Sequence, residues 1–536
     1  MKIKSFQLLK SLISFLLIII IMIFLYFSYN NTTIEITNTS AFSKITDKLE
    51  FQKQIDEKLQ VELKSGNYTF ENPLVVLNPY NESPLTALLL FTTEQPSKIT
   101  ISISDNNNSE AITSAHKFEK ISTEHIIPVY GLFPNTSNHI IINQFSESHV
   151  FLGKKDIEIQ TEALPSWLDD LIILTESYSD NYLNGLNYHL NYKYAFDQNG
   201  TIRWFLSKDY SLSGTYLDYS NNHFIFPLYH NDKVGTIIGE VDKLGKIYNL
   251  YHAPFTPHHD IATLPNGNLI VLGNKGETIM DFIYEIDASS GKITNTMDLK
   301  YILQRTRLIL GLPNWLHANS ITYDKSDGTI ILSSNNQSTV AKIKWPTGEI
   351  KWLLADPIAY DPRFEKYLLQ PIGDNFEYSY NQHDVNILPD YDNNPDTIDI
   401  SLFDNGIARV NIDKTNKYSR LVHYRINEKN MTVEQIWQYG KERRNELYSR
   451  NQSSFKMLPN ENRLGLFCVT LTDDPNIVTE RLVEVDKNSN LIWDAEIFSK
   501  SATGSVSGYQ VYRLPFYSQN ETEHNINIIA KNMLPE

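Results

Sequence analysis

Beyond residue 35 the chain is written in short runs where apolar and polar side chains alternate, a period of two that predicts β-strands. Val61–Leu63, Leu74–Leu77, Thr86–Phe91, Lys98–Ile103 and His139–Asn143 are such runs, separated by turn residues such as Asn78-Pro79 and Asp105–Asn108. Their spacing predicts a small antiparallel β-sandwich over residues 31–162. A different unit recurs over 163–536. Asp197-Gln-Asn-Gly-Thr-Ile-Arg-Trp204, Asp242–Tyr248, Asp287–Ile293, Trp345-Pro-Thr-Gly-Glu-Ile-Lys-Trp352 and Asp486–Trp493 read as strand, tight turn, strand, most of them ending in an aromatic. Asp, Asn and Gly tolerate the positive φ that such hairpins need. The repeat is irregular, often roughly 45–60 residues, the length of a four-stranded propeller blade. Helices are expected only at Leu299–Leu310 and Thr432–Ser449. The fold class is therefore all-β.

Three of the strand-like segments begin with histidine: His258-His259-Asp260-Ile261, His317-Ala318-Asn319-Ser320-Ile321 and His383-Asp384-Val385-Asn386. Each is followed by a turn and a second β-branched run. Equivalent positions of repeats set around an axis become neighbours, so three imidazoles distant in sequence are expected at one place. A lone histidine before a strand is usually a turn or core residue; three in matching places are not. His125 and His423 stay with the structural residues, as does the charge run Lys441–Arg444.

At 536 residues the chain is long enough for two or more domains, and 12% aromatic content favours strands. A net charge of −16 excludes a nucleic-acid backbone as the main partner and leaves room for a local cationic pocket. Cys468 is the single cysteine, which rules out an intrachain disulfide and cysteine zinc sites. Lys2, Lys4 and Lys10 precede the apolar run Leu12–Phe27, which lies between a signal-peptide core and a membrane span of about 17–25 residues. No small-x-small cleavage site follows. Residues 1–30 are expected to form an uncleaved anchor in the cytoplasmic membrane through residues 12–27, with the remainder exported to the periplasm. A cleaved signal peptide gives the same compartment.

Several longer stretches, in order, resemble the bacterial aryl-sulfate sulfotransferases: Asn78–Ala87, His125–Pro134, the first His-Asp segment, Asn314–Ser320, Phe403-Asp-Asn-Gly406, Tyr439–Arg443 and Leu447–Ser449. The resemblance implies a six-bladed β-propeller preceded by a small β-sandwich, an exported location and a site on the propeller axis. It implies transfer of a sulfuryl group from an aryl sulfate donor to a phenol acceptor, without a nucleotide sulfate donor and without a cofactor or metal. His383 matches the family's nucleophile by its Gln-His-Asp context, and His259 and His317 match two further histidines. Asn319 matches an asparagine of the pattern. Where the family has arginine after a Ser-Ser pair, this chain has Asn335. A homodimer is compatible with the family pattern.

Sulfuryl transfer proceeds through a loose transition state whose equatorial oxygens need hydrogen-bonding or positive groups. A neutral imidazole can attack sulfur while its other nitrogen is held by an acceptor. Asp384 adjoins His383, but neighbouring strand residues point to opposite faces, so it is the orienting partner only if the backbone bends. Asn335 either donates a neutral bond, is compensated by Lys275 or Arg513, or marks an altered enzyme. The alternatives are a non-catalytic propeller binding anionic aromatic ligands, a zinc site of three histidines, and a cofactor-dependent oxidoreductase.

Overall fold

A computed structural model describes residues 44–534 apart from 105–111, 190, 208–217, 221, 232–234, 276–277, 304–312, 359, 471–477 and 501–507. Strands dominate and helices are few. The apolar run at 12–27 lies outside the described residues, and among those described no helix is long and apolar enough to cross a membrane.

Residues 44–64 are helical, which corrects the expectation of a strand at Val61–Leu63. The buried positions Ile45, Gln52, Asp56, Leu59 and Leu63 recur at helical spacing. A three-residue window cannot show that period. The helix docks by exchanging bonds between the Gln52 amide and the backbone of Ile247 at 2.7 and 2.8 Å, and by an Asp56–Lys246 ion pair at 2.8 Å. A five-stranded antiparallel sheet follows, built on the long hairpin of Thr86–Ser104 and Ile112–Tyr130, with Leu74–Leu77, Ser137–Phe145 and Phe151–Gln160 added. The runs Thr86–Phe91 and Lys98–Ile103 are thus one strand, with the pairing slipping between Thr92 and Ser97.

Among the described residues, six further sheets of four or five strands follow. Asx turns join their third and fourth strands. Asp197, Asp242, Asp287 and Asp486 each accept backbone N–H groups two to four residues on, and Gly200, Gly245, Gly291 and Gly348 supply left-handed φ. The aromatics beside these turns link neighbouring sheets. Trp204 donates its indole N–H to Lys243 O at 2.8 Å, Trp352 to Glu428 at 2.7 Å, Trp437 to Ser489 at 3.0 Å and Trp493 to Gln198 O at 3.0 Å. Trp345 reaches back to Glu285 at 3.0 Å, and Ile225, Ile238 and Tyr251 pack on Ile261, Leu269 and Val271. These neighbour relations run in a closed cycle.

Both chain ends stitch the cycle. Val511–Leu514 pairs with Leu186–His189, so one sheet combines a late strand with early ones. Leu171–Ser177 closes the edge of the sheet made by residues 454–499, and Lys531–Met533 runs parallel to Ile247–Ala253. The expected helix at Thr432–Ser449 is corrected. Thr432–Tyr439 is a strand paired with Arg420–Asn427, and only Lys441–Glu446 forms a short 3-10 turn. Of Leu299–Leu310, Leu299–Leu303 is helical and the rest lies outside the described residues.

Candidate active site

The histidine segments form the first strands of three successive sheets: Thr256–Thr263, Ala318–Asp324 with His317 just before it, and His383–Ile387. In each, pairing with the second strand slips near the histidine: between Pro257 and Ile261, Ala318 and Ser320, and His383 and Asn386. Such bulges bend a strand and re-aim its side chains. His259, His317 and Asp384 have left-handed φ of 61°, 53° and 54°, strain of a kind that gathers at functional sites.

A ladder of side-chain bonds sets the register between sheets. Asp260 Oδ2 accepts the N–H of Ile321 at 2.9 Å, Ser320 Oγ that of Val385 at 2.9 Å, and Asp384 Oδ2 that of Phe455 at 2.8 Å. Ser454 Oγ accepts from Val511 at 3.4 Å. Asp260, Ser320, Asp384 and Ser454 are therefore equivalent, and the residue before each shares one rung: His259, Asn319, His383 and Ser453, continued by Tyr509. His317 lies two residues ahead of that rung, so the three histidines do not all hold equivalent positions as the sequence suggested.

They nevertheless meet. Nε2 of His259 is 3.0 Å from Nε2 of His317, with ring centroids 4.9 Å apart. The Tyr509 ring links His259, at 5.5 Å between centroids, to His383, at 5.8 Å. The Asn314 amide donates to Nδ1 of His317 at 2.8 Å, so His317 donates from Nε2 to His259, which leaves the buried Nδ1–H of His259 without a partner. Nδ1 of His383 donates to Asn405 Oδ1 at 2.7 Å, and Asn405 Nδ2 is spent on the carbonyls of Ser449 and Gln452 at 3.0 and 3.1 Å. The lone pair of His383 is then on Nε2.

Burial keeps these rings neutral, because a low-dielectric surrounding penalises the imidazolium. It lowers His383 and His317 to about 4, lowers His258 to about 3, and holds His259 well below the usual histidine range. Tyr509 is fully buried, its hydroxyl has no partner, and burial together with Asp260 and Asp384 raises its pKa well above the usual value. It is a protonated, unengaged donor at the centre.

Asp384 does not orient His383. Its carboxylate takes the Phe455 N–H and the ammonium of Lys456 at 2.6 Å. Asn319 lies on the rung but gives one Nδ2 hydrogen to Gln382 O at 2.8 Å, and its Oδ1 is unpartnered. Asn335 lies off the rung. Its N–H donates to His317 O at 3.0 Å, and its carbonyl and Oδ1 accept from Asn381 Nδ2 at 3.2 and 3.1 Å. Neither expected substitute cation reaches the centre. Arg513 is buried in an ion pair with Glu484, its Nε bonded to Asn187 at 2.9 Å, and Lys275 is exposed beside Phe282. Among the described residues no group of three His, Cys, Asp or Glu is arranged to hold a metal ion. Sequence reasoning missed Asn405 as the partner of His383, although Asp404-Asn405-Gly406 had marked the place. Nothing near Tyr509 announced it.

Neutral imidazoles collected from successive sheets, with no fixed cation among them, define an all-β protein with a histidine-centred site. Family comparison is more specific. The arylsulfotransferase (ASST) model matches residues 169–510 and the arylsulfotransferase Ig-like domain matches residues 74–162. The chain belongs to the arylsulfotransferase family and is, in general terms, a sulfotransferase. Arylsulfate sulfotransferase AssT of Escherichia coli O6:H1 (strain CFT073) is 24% identical, covering 77% of this chain and 88% of that protein. Arylsulfate sulfotransferase AssT of Lelliottia amnigena is 24% identical, covering 70% and 81%. Among solved structures, the Cps50 (Swd1) β-propeller domain of Myceliophteria thermophila aligns at 10% identity with a TM-score of 0.31, over 57% of this chain and 90% of that one. That likeness adds nothing to the argument.

Proposed function

We propose that the six sheets are the blades of a six-bladed propeller, over 163–536, preceded by a sandwich domain within 31–162, and that the central histidines move a sulfuryl group from an aryl sulfate to a phenol by a ping-pong route. The observation that carries this reading is the bond from Nδ1 of His383 to Asn405, which leaves an unprotonated Nε2 on a ring that burial keeps neutral. Nε2 attacks sulfur, the S–O bond to the aryl group breaks, and charge develops on the departing phenolic oxygen. The unpartnered N–H of His259, supported by His317, meets that charge. The N-sulfohistidine then gives its group to a second phenol. The remaining amide hydrogen of Asn319 and the Tyr509 hydroxyl are donors for the sulfuryl oxygens, and Asn335 is a neutral donor beside them. No nucleotide sulfate donor and no cofactor enter the route. The family resemblance supports export, and the N-terminal run supports anchorage in the cytoplasmic membrane. A homodimer belongs to the same reading.

The test is direct. His383→Ala is expected to abolish transfer from 4-nitrophenyl sulfate to phenol, and intact-mass measurement of the wild-type protein after donor treatment is expected to show one added sulfuryl group on His383. Unchanged turnover in the variant overturns the assignment. Asn335 in the arginine's place favours one second reading, a propeller that binds anionic aromatics without transfer. Binding without any sulfuryl adduct, together with a large gain of activity in Asn335→Arg, is its signature.

A further inference from the structure

Among the described residues His259, His317, His383 and Tyr509 carry no fixed positive charge and the nearby Lys456 is neutralised by Asp384, yet two loops beside them carry unpaired cations. Residues 405–419 follow the strand Thr397–Asp404, and residues 440–453 lead into the first strand Ser454–Met457 of the next sheet. Both loops lie at the end of their sheets where His383 begins its strand. Asn405, the partner of His383, ties them together by donating to Ser449 O and Gln452 O, and Ser419 Oγ bonds Asn405 O and Ser449 O at 2.8 and 3.1 Å.

The cations of these loops, together with Arg420 at the start of the next strand, fall into two sets. Arg409, Arg420, Lys441 and Arg443 are neutralised by Asp404, Glu377 and Glu446. Lys414, Lys417, Arg444 and Arg450 are exposed and make no ion pair among the described residues. Three of them, Lys417, Arg444 and Arg450, gather about Tyr418 and Tyr448. The Lys417 ammonium lies 4.8 Å from the ring centroid of Tyr448, near which Arg450 opposes the rise that burial gives its hydroxyl. The Arg444 guanidinium lies 5.6 Å from the ring centroid of Tyr418. Asp413 accepts the Thr415 N–H and hydroxyl, and Glu442 the Gly440 N–H; these bonds leave both carboxylates charged, so the four cations outnumber the two acids of the loops that pair with no cation. Arg444 also has φ 48° and ψ −122°, at a kink in the segment Lys441–Glu446. An arginine held in that conformation costs free energy that a solvated face does not require.

We propose that this rim is a capture site for the anionic aryl sulfate. The unpaired cations attract the sulfate ester, and the charge missing from the buried site is supplied at its edge. In a chain of net charge −16 such a patch raises the local concentration of a small anion, and steering of this kind raises association by about 10–10³-fold and fades with salt. The proposal rests on the sulfuryl-transfer reading for its ligand class, but it makes separate claims.

The full-length protein and the variant Lys414→Gln/Lys417→Gln/Arg450→Gln are compared with 4-nitrophenyl sulfate as donor and phenol as acceptor. The expected result is a roughly tenfold loss in kcat/KM for the donor, carried by KM, with the wild-type salt dependence flattened and KM for neutral phenol unchanged. Arg444→Gly removes a cation and relieves its backbone at once, so it is expected to be at least as stable while showing the same donor-specific loss. Equal donor kinetics and equal salt dependence in all three proteins overturn the proposal. Calorimetric titration with 4-nitrobenzenesulfonate, which cannot transfer, separates the two readings. Binding lost in the variants of a protein that transfers nothing sustains the rim and ends the transferase reading; equal binding in wild type and variants ends the rim.

Discussion

Nδ1 of His383 is held by a carboxamide rather than a carboxylate, and the choice is electrostatic. A carboxylate at that place would stabilise the imidazolium and draw the ring back toward the ordinary range, whereas Asn405 fixes the tautomer without adding charge. Asn405→Asp is therefore expected to move the acid limb of the kcat/KM profile upward from about 4, seen as lost activity near pH 5–6 in stopped-time assays. Asn405→Ala is expected to lower kcat by about 10²-fold through a misplaced ring, with KM for the donor little changed. The same buried imidazoles govern acid stability. Unfolded, each titrates near 6.5; folded, His317 and His383 titrate near 4 and His258 near 3. The unfolded chain then binds more protons between these values, so stability is whole above about pH 6.5 and falls as pH drops toward about 4. Urea midpoints at pH 7, 5.5 and 4.5 should decline in that order. The gathering of His259, His317 and His383 could be anticipated from their segments, but the bond partners could not. Asn405 lies far from His383 in sequence, and an asparagine before glycine reads first as a turn.

At the element scale, the bulged first strands and their ladder explain how a β protein aims side chains at a common centre. The carboxylate of Asp384 stitches its strand to Phe455 and neutralises the buried Lys456. Asp384→Ala leaves that ammonium unpaired, and breaking one side of a buried pair costs about 3–5 kcal/mol. Chemical denaturation should show the loss, and Asp384→Asn, which retains an acceptor but no charge, should recover only part of it. Strand-turn-strand units were legible because their Asx and glycine signals are local and mechanistic. The helix over 44–64 was not legible, since its buried face includes Gln52 and Asp56, polar residues excused by their bonds to Ile247 and Lys246. Thr432–Tyr439 misled in the other direction. Its Glu434, Gln435 and Gln438 favour helix, and tertiary pairing with Arg420–Asn427 overrides that preference.

For the whole molecule, the pattern foretold repeated sheets but not their closure. Which strand completes which sheet depends on residues hundreds of positions apart, such as Arg513 opposite Asn187 and Glu496 opposite Leu174, and no local signal records that pairing. Closure also makes the ring one cooperative unit. A chain ended at residue 508 loses Val511–Leu514 and Lys531–Met533, and calorimetry of it should show a broadened or missing transition where the intact protein gives a sharp one. The split sheet has a temporal side as well. During translation all three histidines leave the ribosome long before Tyr509 and the strand that follows it, so a nascent chain bears the three central imidazoles and still lacks the ring that links His259 to His383. Assembly of the centre therefore waits on a strand made after all three histidine segments.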